Sequence, residues 1–258
     1  MMADEHLWPA LRAARAAGEH LRDRFDPVPA SAGSCDGSGT SADISAEAII
    51  LDILEGSFPD HNVVSEERSP EFVPRPRWVI DPLDGTTNFH SGVPHFSVSI
   101  AYEGTGCPDL GIVYYVPDDR LFVAIEGDGA YVDGRPLELS GPVDLSDAVV
   151  VTGFDSLRRD DGGREYFRAL VESTRGVRRM GSAAAELAFV AAGSFDVYFE
   201  RKLDMWDTKA GTLIVTEAGG EVTHIEAVDD VTGEIVVAST PALHSELISF
   251  MSRNHVLG

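Results

Sequence analysis

Leu7, Leu11, Ala14, Leu21 and Phe25 recur on one helical stripe, which predicts an amphipathic helix over residues 5–25. The Pro-, Gly- and Ser-rich run PVPASAGSCDGSGTS then breaks the pattern, a composition that suits either a linker or a loop over a site. A second helix is expected from a cap at Ser41 or Asp43 through AEAIILDIL, with Ile44, Ala48 and Leu51 facing inward. After it the period falls to two. Trp78-Val79-Ile80 reads as a buried strand, and Phe96, Val98, Ile100 and Tyr102 alternate with smaller or polar residues. Strands near 110–116 and 120–125 and a Gly-rich turn before YVDG complete an antiparallel meander.

From about residue 147 the order changes. A strand (AVVVTGF) is followed by a helix over 163–175, a short strand (GVRRM), a helix (SAAAELAFVAA), a strand (DVYFE), a helix (DTKAGTLIVTEAGG), further strand and a final helix. Such alternation argues for some parallel strands. The expected organisation is an N-terminal α+β half over 1–145 and a C-terminal α/β half over 146–258, with a cleft between them.

Composition narrows the function classes. A chain of 258 residues with 43% apolar content can bury a sizeable core, so disorder is excluded as the general description. The net charge is −23, and Lys202 and Lys209 are the only lysines. Such a surface repels a polyanion, which predicts no nucleic-acid partner. The same charge has two further readings, a self-repelling soluble surface or a halophilic protein of a salt-rich cytoplasm. Two cysteines, Cys35 and Cys107, are too few for a disulfide framework and read as buried or incidental thiols. No basic segment followed by an apolar run opens the chain, and no apolar stretch reaches the ~18 residues of a membrane span, so a cytoplasmic protein without membrane contact is expected.

Three acidic clusters stand at element boundaries: Glu66-Glu67 after NVVS, Asp81-Pro82-Leu83-Asp84-Gly85-Thr86-Thr87, and Trp206-Asp207 opening a helix. Pro82 fixes φ and removes a donor, so the strand is expected to end there and turn Asp81 and Asp84 into one space. Converging carboxylates repel unless a hard cation sits between them, and Mg²⁺ suits oxygen ligands. Gly85-Thr86-Thr87 offers free backbone N–H groups to an anion. Each piece alone has an ordinary reading: DPxDG as a turn, Glu-Glu as a solvated face, Asp207 as a helix cap. Only the combination points to a phosphoryl group bridged by metal.

The segment WVIDPLDGTTNF (78–89), with VSEE (64–67) before it and GSAA (181–184) and WDTKAGTLIVTEAGG (206–220) after it, resembles the inositol monophosphatase family. The resemblance covers essentially the whole chain. It implies an alternating α-β-α-β-α sandwich of α+β and α/β elements, and two or three Mg²⁺ ions held by Glu66, Asp81, the Leu83 carbonyl, Asp84 and Asp207. Asp43 matches a position near the weakest metal site. Gly85 and Thr86 would hold phosphate; Gly181, Ser182, Ala183 and Glu200 would contact a polyol, Arg178 would also face the substrate, and Asp207 borders it. Glu66, Asp84 and Thr86 would carry catalysis, with a metal-activated water attacking in line, since no Ser, Cys or His stands beside a base. His90 and His95 read as structural or rim residues. A homodimer is also implied.

Two departures from the family pattern stand out: the loop 31–42 lacks a lysine common in animal members, and WDTKAG replaces WDxAAG, which places Lys209 on an exposed helix face. Thr87-Asn88-Phe89 resembles inositol-type or dual inositol and fructose-1,6-bisphosphate phosphatases. Adenosine-phosphate and histidinol-phosphate phosphatases remain open alternatives, as does a non-catalytic regulatory binding protein of the same fold; the complete carboxylate set argues against that last reading.

Overall fold

Small side chains let the first two helices lie close on the sheet behind them. In α1 (Met2–Arg24) the buried residues include Ala10, Ala13, Ala14, Ala17 and Leu21, and in α2 (Ser38–Ser57) they include Ala42, Ala46, Ile50 and Leu54. The computed structural model describes residues 2–28, 38–68, 73–104, 108–153, 163–226 and 234–253; Cys35, Cys107 and loop residues 31–37 lie outside these. The second helix starts earlier than its sequence suggests and is rotated. Ile44 is 49% exposed and Ala48 is exposed, whereas Asp43 and Glu47 are buried; of the three expected inward residues only Leu51 faces in. Packing of Ala42, Ala46, Ile50 and Leu54 against the sheet decides the face and carries the two carboxylates inward with it.

The first sheet runs in chain order: β1 (Asn62–Ser65), β2 (Arg77–Asp84), β3 (Ser97–Glu103), β4 (Pro108–Tyr115), β5 (Arg120–Ile125), β6 (Gly129–Val132) and β7 (Arg135–Pro136). The pair β1–β2 is parallel and every later pair antiparallel. A five-residue helix, α3 (Thr86–His90), links β2 to β3. The second sheet has the order β11-β12-β10-β8-β9, made of β8 (Val149–Thr152), β9 (Gly176–Arg178), β10 (Val197–Leu203), β11 (Glu221–Glu226) and β12 (Glu234–Ser239). Its β8 pairs are parallel and its β12 pairs antiparallel. The remaining helices are α4 (Gly163–Ser173), α5 (Ala183–Ala191), α6 (Met205–Glu217) and α7 (Pro241–Arg253).

Three cores follow from strand alternation. Trp78, Ile80, Val98, Ile100 and Ile112 face α1 and α2. Val79, Ala101, Val113 and Phe122 face the other way onto α5 and α6, which meet Val151, Tyr198, Val236 and Ala238 of the second sheet on their far side. Val150, Val197, Phe199, Ile235 and Val237 then meet α4 and α7. The layers are therefore α-β-α-β-α.

The middle helix α6 is anchored at three points. Ser99 Oγ donates to the Trp206 carbonyl at 3.2 Å. Lys209 Nζ stands 4.0 Å from Glu103, a fully buried carboxylate that also pairs with Arg75 and Arg77. Lys209 thus reaches inward to a buried charge rather than lying on an exposed face, because β3 ends in that buried carboxylate. At Gly111, finally, a Cβ would come within 2.8 Å of the Ala210 carbonyl, a backbone atom that no rotamer change can move. Gly111→Ala is therefore expected to lower unfolding free energy by about 1–3 kcal/mol in urea denaturation. A loss below about 0.5 kcal/mol, the level of an indifferent surface change, would show that α6 is free to shift.

Candidate metal and phosphate site

β2 does not stop at Pro82. It continues to Asp84 through a register shift between Asp81 and Asp84, with Asp81 opposite Ser99 and Asp84 opposite Ser97. The irregularity leaves Pro82 with no ladder partner to satisfy, so the strand tolerates it. Leu83 N–H donates to Asp81 Oδ1 at 2.9 Å, and the Thr86 hydroxyl returns to the Leu83 carbonyl at 3.0 Å. Gly85 has φ +97, and a Cβ there would lie 2.9 Å from the His95 carbonyl and 3.2 Å from the Gly181 carbonyl. Only glycine fits this corner.

The parallel neighbour β1 pairs Ser65 with Ile80, so Glu66, which opens a short 3-10 turn, emerges beside Asp81. At the start of α6, Asp204 N–H donates to Asp207 Oδ2 at 2.8 Å as half of a capping box. The three acidic clusters therefore reach one region from three elements. Asp81 and Asp84 are buried there, while Glu66 opens to solvent.

Electrostatics ties the region together. Glu66 is pushed up to about 7 by desolvation and by Glu67, Asp84 and Asp204. Asp81 is raised far above the carboxylate range by burial, then by Asp84, Glu66 and Asp207. Asp207 is raised likewise by burial, Asp84 and Glu66. The charges acting on these three groups are other carboxylates, with no Lys or Arg among them. Asp84 is raised by burial but relieved by its donors: Oδ2 accepts from Ser182 Oγ (2.5 Å), Ser97 Oγ (3.1 Å), Ala184 N–H (2.9 Å) and Ala185 N–H (3.4 Å), and Oδ1 only from Ala183 N–H (3.0 Å).

An all-oxygen, uncompensated donor set of this kind fits a hard divalent cation. Among the described residues no three His, Cys, Asp or Glu side chains already converge on one point as a closed ligand set. The Asp84 carboxylate lies at the N-terminus of α5, whose amides take up much of its acceptor capacity.

Asp43 is buried on α2 and raised to about 7 by desolvation and by Glu67 and Glu66, so it borders the outer end of the cluster. Its Oδ1 and Glu47 Oε1 have no hydrogen-bond partner among the described residues.

On the opposite side, Gly181, Ser182 and Ala183 lead into α5 against Asp84. Glu200, on β10, is raised to about 7 by burial and relieved by the Tyr198 hydroxyl, which donates to Oε2 at 2.9 Å. A Cβ at Gly153 would fall on the Glu200 carboxylate, so that glycine makes room for it. Arg178 is exposed on edge strand β9 and bonds the neighbouring Val177 carbonyl; Arg179 is the basic residue that acts on Glu200. His95 is buried, lowered to about 4 by desolvation, and therefore neutral and structural. Ser97, Asn88, Tyr198, Gly153 and Glu186 carry bonds or space for the site that their sequence positions do not announce; only the nearness of Asn88 to DPLDGT and of Glu186 to GSAA gives a signal.

Comparison with known proteins agrees with this geometry. The profile of the inositol monophosphatase family matches residues 3–255. The Pasteurella multocida protein named Nus factor SuhB is 37% identical over 252 residues, 93% of each chain. The inositol monophosphatase of Anabaena (Nostoc) sp. superposes with a TM-score of 0.81 at 36% identity, covering 95% of this chain and 94% of its own. Mycobacterium tuberculosis SuhB gives 0.83 at 33% identity, covering 96% of each.

Relatives over nearly the full chain are named Nus factors, and this overturns the exclusion of nucleic acid drawn from net charge. A whole-chain charge of −23 describes an average field that is screened within about 8 Å at physiological salt, and it forbids neither a local contact nor one made through another protein. No helix among the described residues is long and apolar enough to cross a membrane. With the profile match, the shared fold and the carboxylate cluster in agreement, the chain belongs to the inositol monophosphatase family.

Proposed function

We propose that the protein hydrolyses small polyol or sugar phosphate monoesters, inositol monophosphate or fructose 1,6-bisphosphate among them, with Mg²⁺. The observation that carries this reading is the set Glu66, Asp81 and Asp207, each pushed up by burial and then by its acidic neighbours, with no basic side chain to offset them. These residues, with Asp84 and the Leu83 carbonyl, would hold the metal, and Asp43 would border the outermost ion. When bound, Mg²⁺ supplies neutralising charge for the phosphoryl group and acidifies water.

The chain's own groups do the rest. Gly85 and Thr86 open α3, where the first N–H groups lack helical partners and can receive phosphate oxygens. Thr86 Oγ1, fixed on the Leu83 carbonyl, would orient the attacking water, and the Glu66 carboxylate would accept its proton. Glu200 and the 181–183 segment receive the hydroxyls of the departing alcohol. No phosphoenzyme is needed in this reading: His95 is buried, and the Ser97 and Ser182 hydroxyls are committed as donors to Asp84, which would hold metal.

A second reading has its own support. Relatives over nearly the full chain are named Nus factors, which favours a regulatory binding protein of this fold over any particular substrate. Phosphate-release assays with inositol 1-phosphate, fructose 1,6-bisphosphate, an adenosine phosphate and histidinol phosphate separate the two. Release from the first two supports the phosphatase; release from none, with a stable complex recovered from lysate, supports the regulator.

Two predictions test the cradle itself. Glu66→Gln is expected to cut turnover at saturating Mg²⁺ by about 100-fold or more while raising the melting temperature in EDTA, since it removes a repelled charge. Retained turnover, or a lower melting temperature in EDTA, contradicts the assignment.

The second concerns pH. Asp43 and Glu66 have raised folded values of about 7 against ordinary values of 3.8 and 4.5. A raised acid costs no stability below its ordinary value, and the cost grows to completion as pH passes the folded value. Metal-free protein should thus melt lower at about pH 8 than at about pH 5.5, and Mg²⁺ should stabilise it more at the higher pH. An equal Mg²⁺ increment at both pH values would count against a cation among these groups.

A further inference from the structure

Six consecutive backbone N–H groups, from Met180 to Ala185, each donate to one of two buried carboxylates. Those of Ala183, Ala184 and Ala185 go to Asp84. Those of Met180 (3.1 Å), Gly181 (2.6 Å) and Ser182 (3.5 Å) go to Glu186 Oε1. Glu186 is fully buried, and its Oε2 has no hydrogen-bond partner among the described residues. The carbonyls of the same segment are held from the other side. Asn88 Nδ2 lies 2.8 Å from the Met180 carbonyl, 3.2 Å from that of Gly181 and 2.8 Å from that of His95. Gly181 has φ +85, and a Cβ there would stand 3.3 Å from the same Nδ2.

We propose that Asn88 and Glu186 are positioning residues that clamp segment 180–182 between them and so set where a polyol is received relative to the metal and phosphate groups. The proposal rests on the phosphatase reading. A carboxylate near the start of a helix is ordinarily a cap, and a cap needs nothing on its far side. Here a side chain from the DPLDGTTN corner holds two carbonyls of the segment, those of Met180 and Gly181, and one from α5 holds three of its N–H groups. That joins the turn carrying Gly85 to the turn carrying Gly181, whose carbonyl already packs against Gly85. After burial, the charge that acts most on Glu186 is that of Glu200, the proposed polyol contact, so the two carboxylates border one region. Neither residue touches the reacting phosphate, and their effect on the reaction runs through the position of the 181–183 segment.

The experiment pairs two substrates with an exchange measurement. Asn88→Ala and Glu186→Ala are expected to raise KM for inositol 1-phosphate about tenfold or more, with kcat/KM for p-nitrophenyl phosphate, which has no polyol, changed by less than about threefold. Glu186→Gln keeps an acceptor oxygen and should stay near wild type. Hydrogen exchange of the peptide spanning 176–187 should quicken in Asn88→Ala with other peptides unchanged, which guards against a Glu186→Ala variant that fails to fold. Equal losses on both substrates, an unchanged KM, or unchanged exchange overturns the clamp. If wild type releases phosphate from neither substrate, the phosphatase reading falls by itself, and exchange in Asn88→Ala then decides whether the clamp stands.

Discussion

Carboxylates withdrawn from water repel one another, and the arrangement around Asp81 obeys that constraint. Each of Glu66, Asp81 and Asp207 would prefer its neutral form in the folded chain, since burial and acidic neighbours act in the same direction. The fold offers backbone amides and hydroxyls to one member, Asp84, and little to the rest. In the proposed reading a divalent cation supplies the charge that completes the set, and the groups held short of neutralisation are the ones a phosphate ester would meet.

The layers serve that gathering. β2 carries two of the carboxylates, its parallel neighbour β1 delivers Glu66 alongside, and Ser99 ties the first turn of α6, with Asp207, to the adjacent strand. Helix α5 arrives from the other face with its N-terminal amides on Asp84, so the favourable end of its dipole meets a charge that burial disfavours. Gly181 and Ser182 lead into the same helix, so the segment 181–183 adjoins the amides that hold Asp84. Gly111 and Lys209 set α6 at the depth this requires.

Much of this is legible in the residues. The change of period from 3.6 to 2 and back places most elements, and the acidic clusters at their boundaries mark the site. The rest depends on packing. Ile44 and Ala48 look inward-facing from apolarity alone, yet the stripe Ala42, Ala46, Ile50 and Leu54 governs α2 and turns Asp43 and Glu47 inside. Pro82 reads as a strand end because a regular ladder cannot accept it, and the register shift removes that objection. Asn88 and Glu186 act on residues 92 and 5 positions away from them in the chain, so spacing alone gives them no role. Net charge misled about nucleic acid because a sum over the chain carries no map.

In the proposed reading a divalent cation replaces protons on this cluster. Isothermal titration of Mg²⁺ near pH 6.5, repeated in buffers of different ionisation enthalpy, measures the protons released on binding. The account predicts clear proton release that fades toward about pH 8.5, where the carboxylates are already ionised. Binding without proton release at the lower pH, or no binding heat in any buffer, would contradict it.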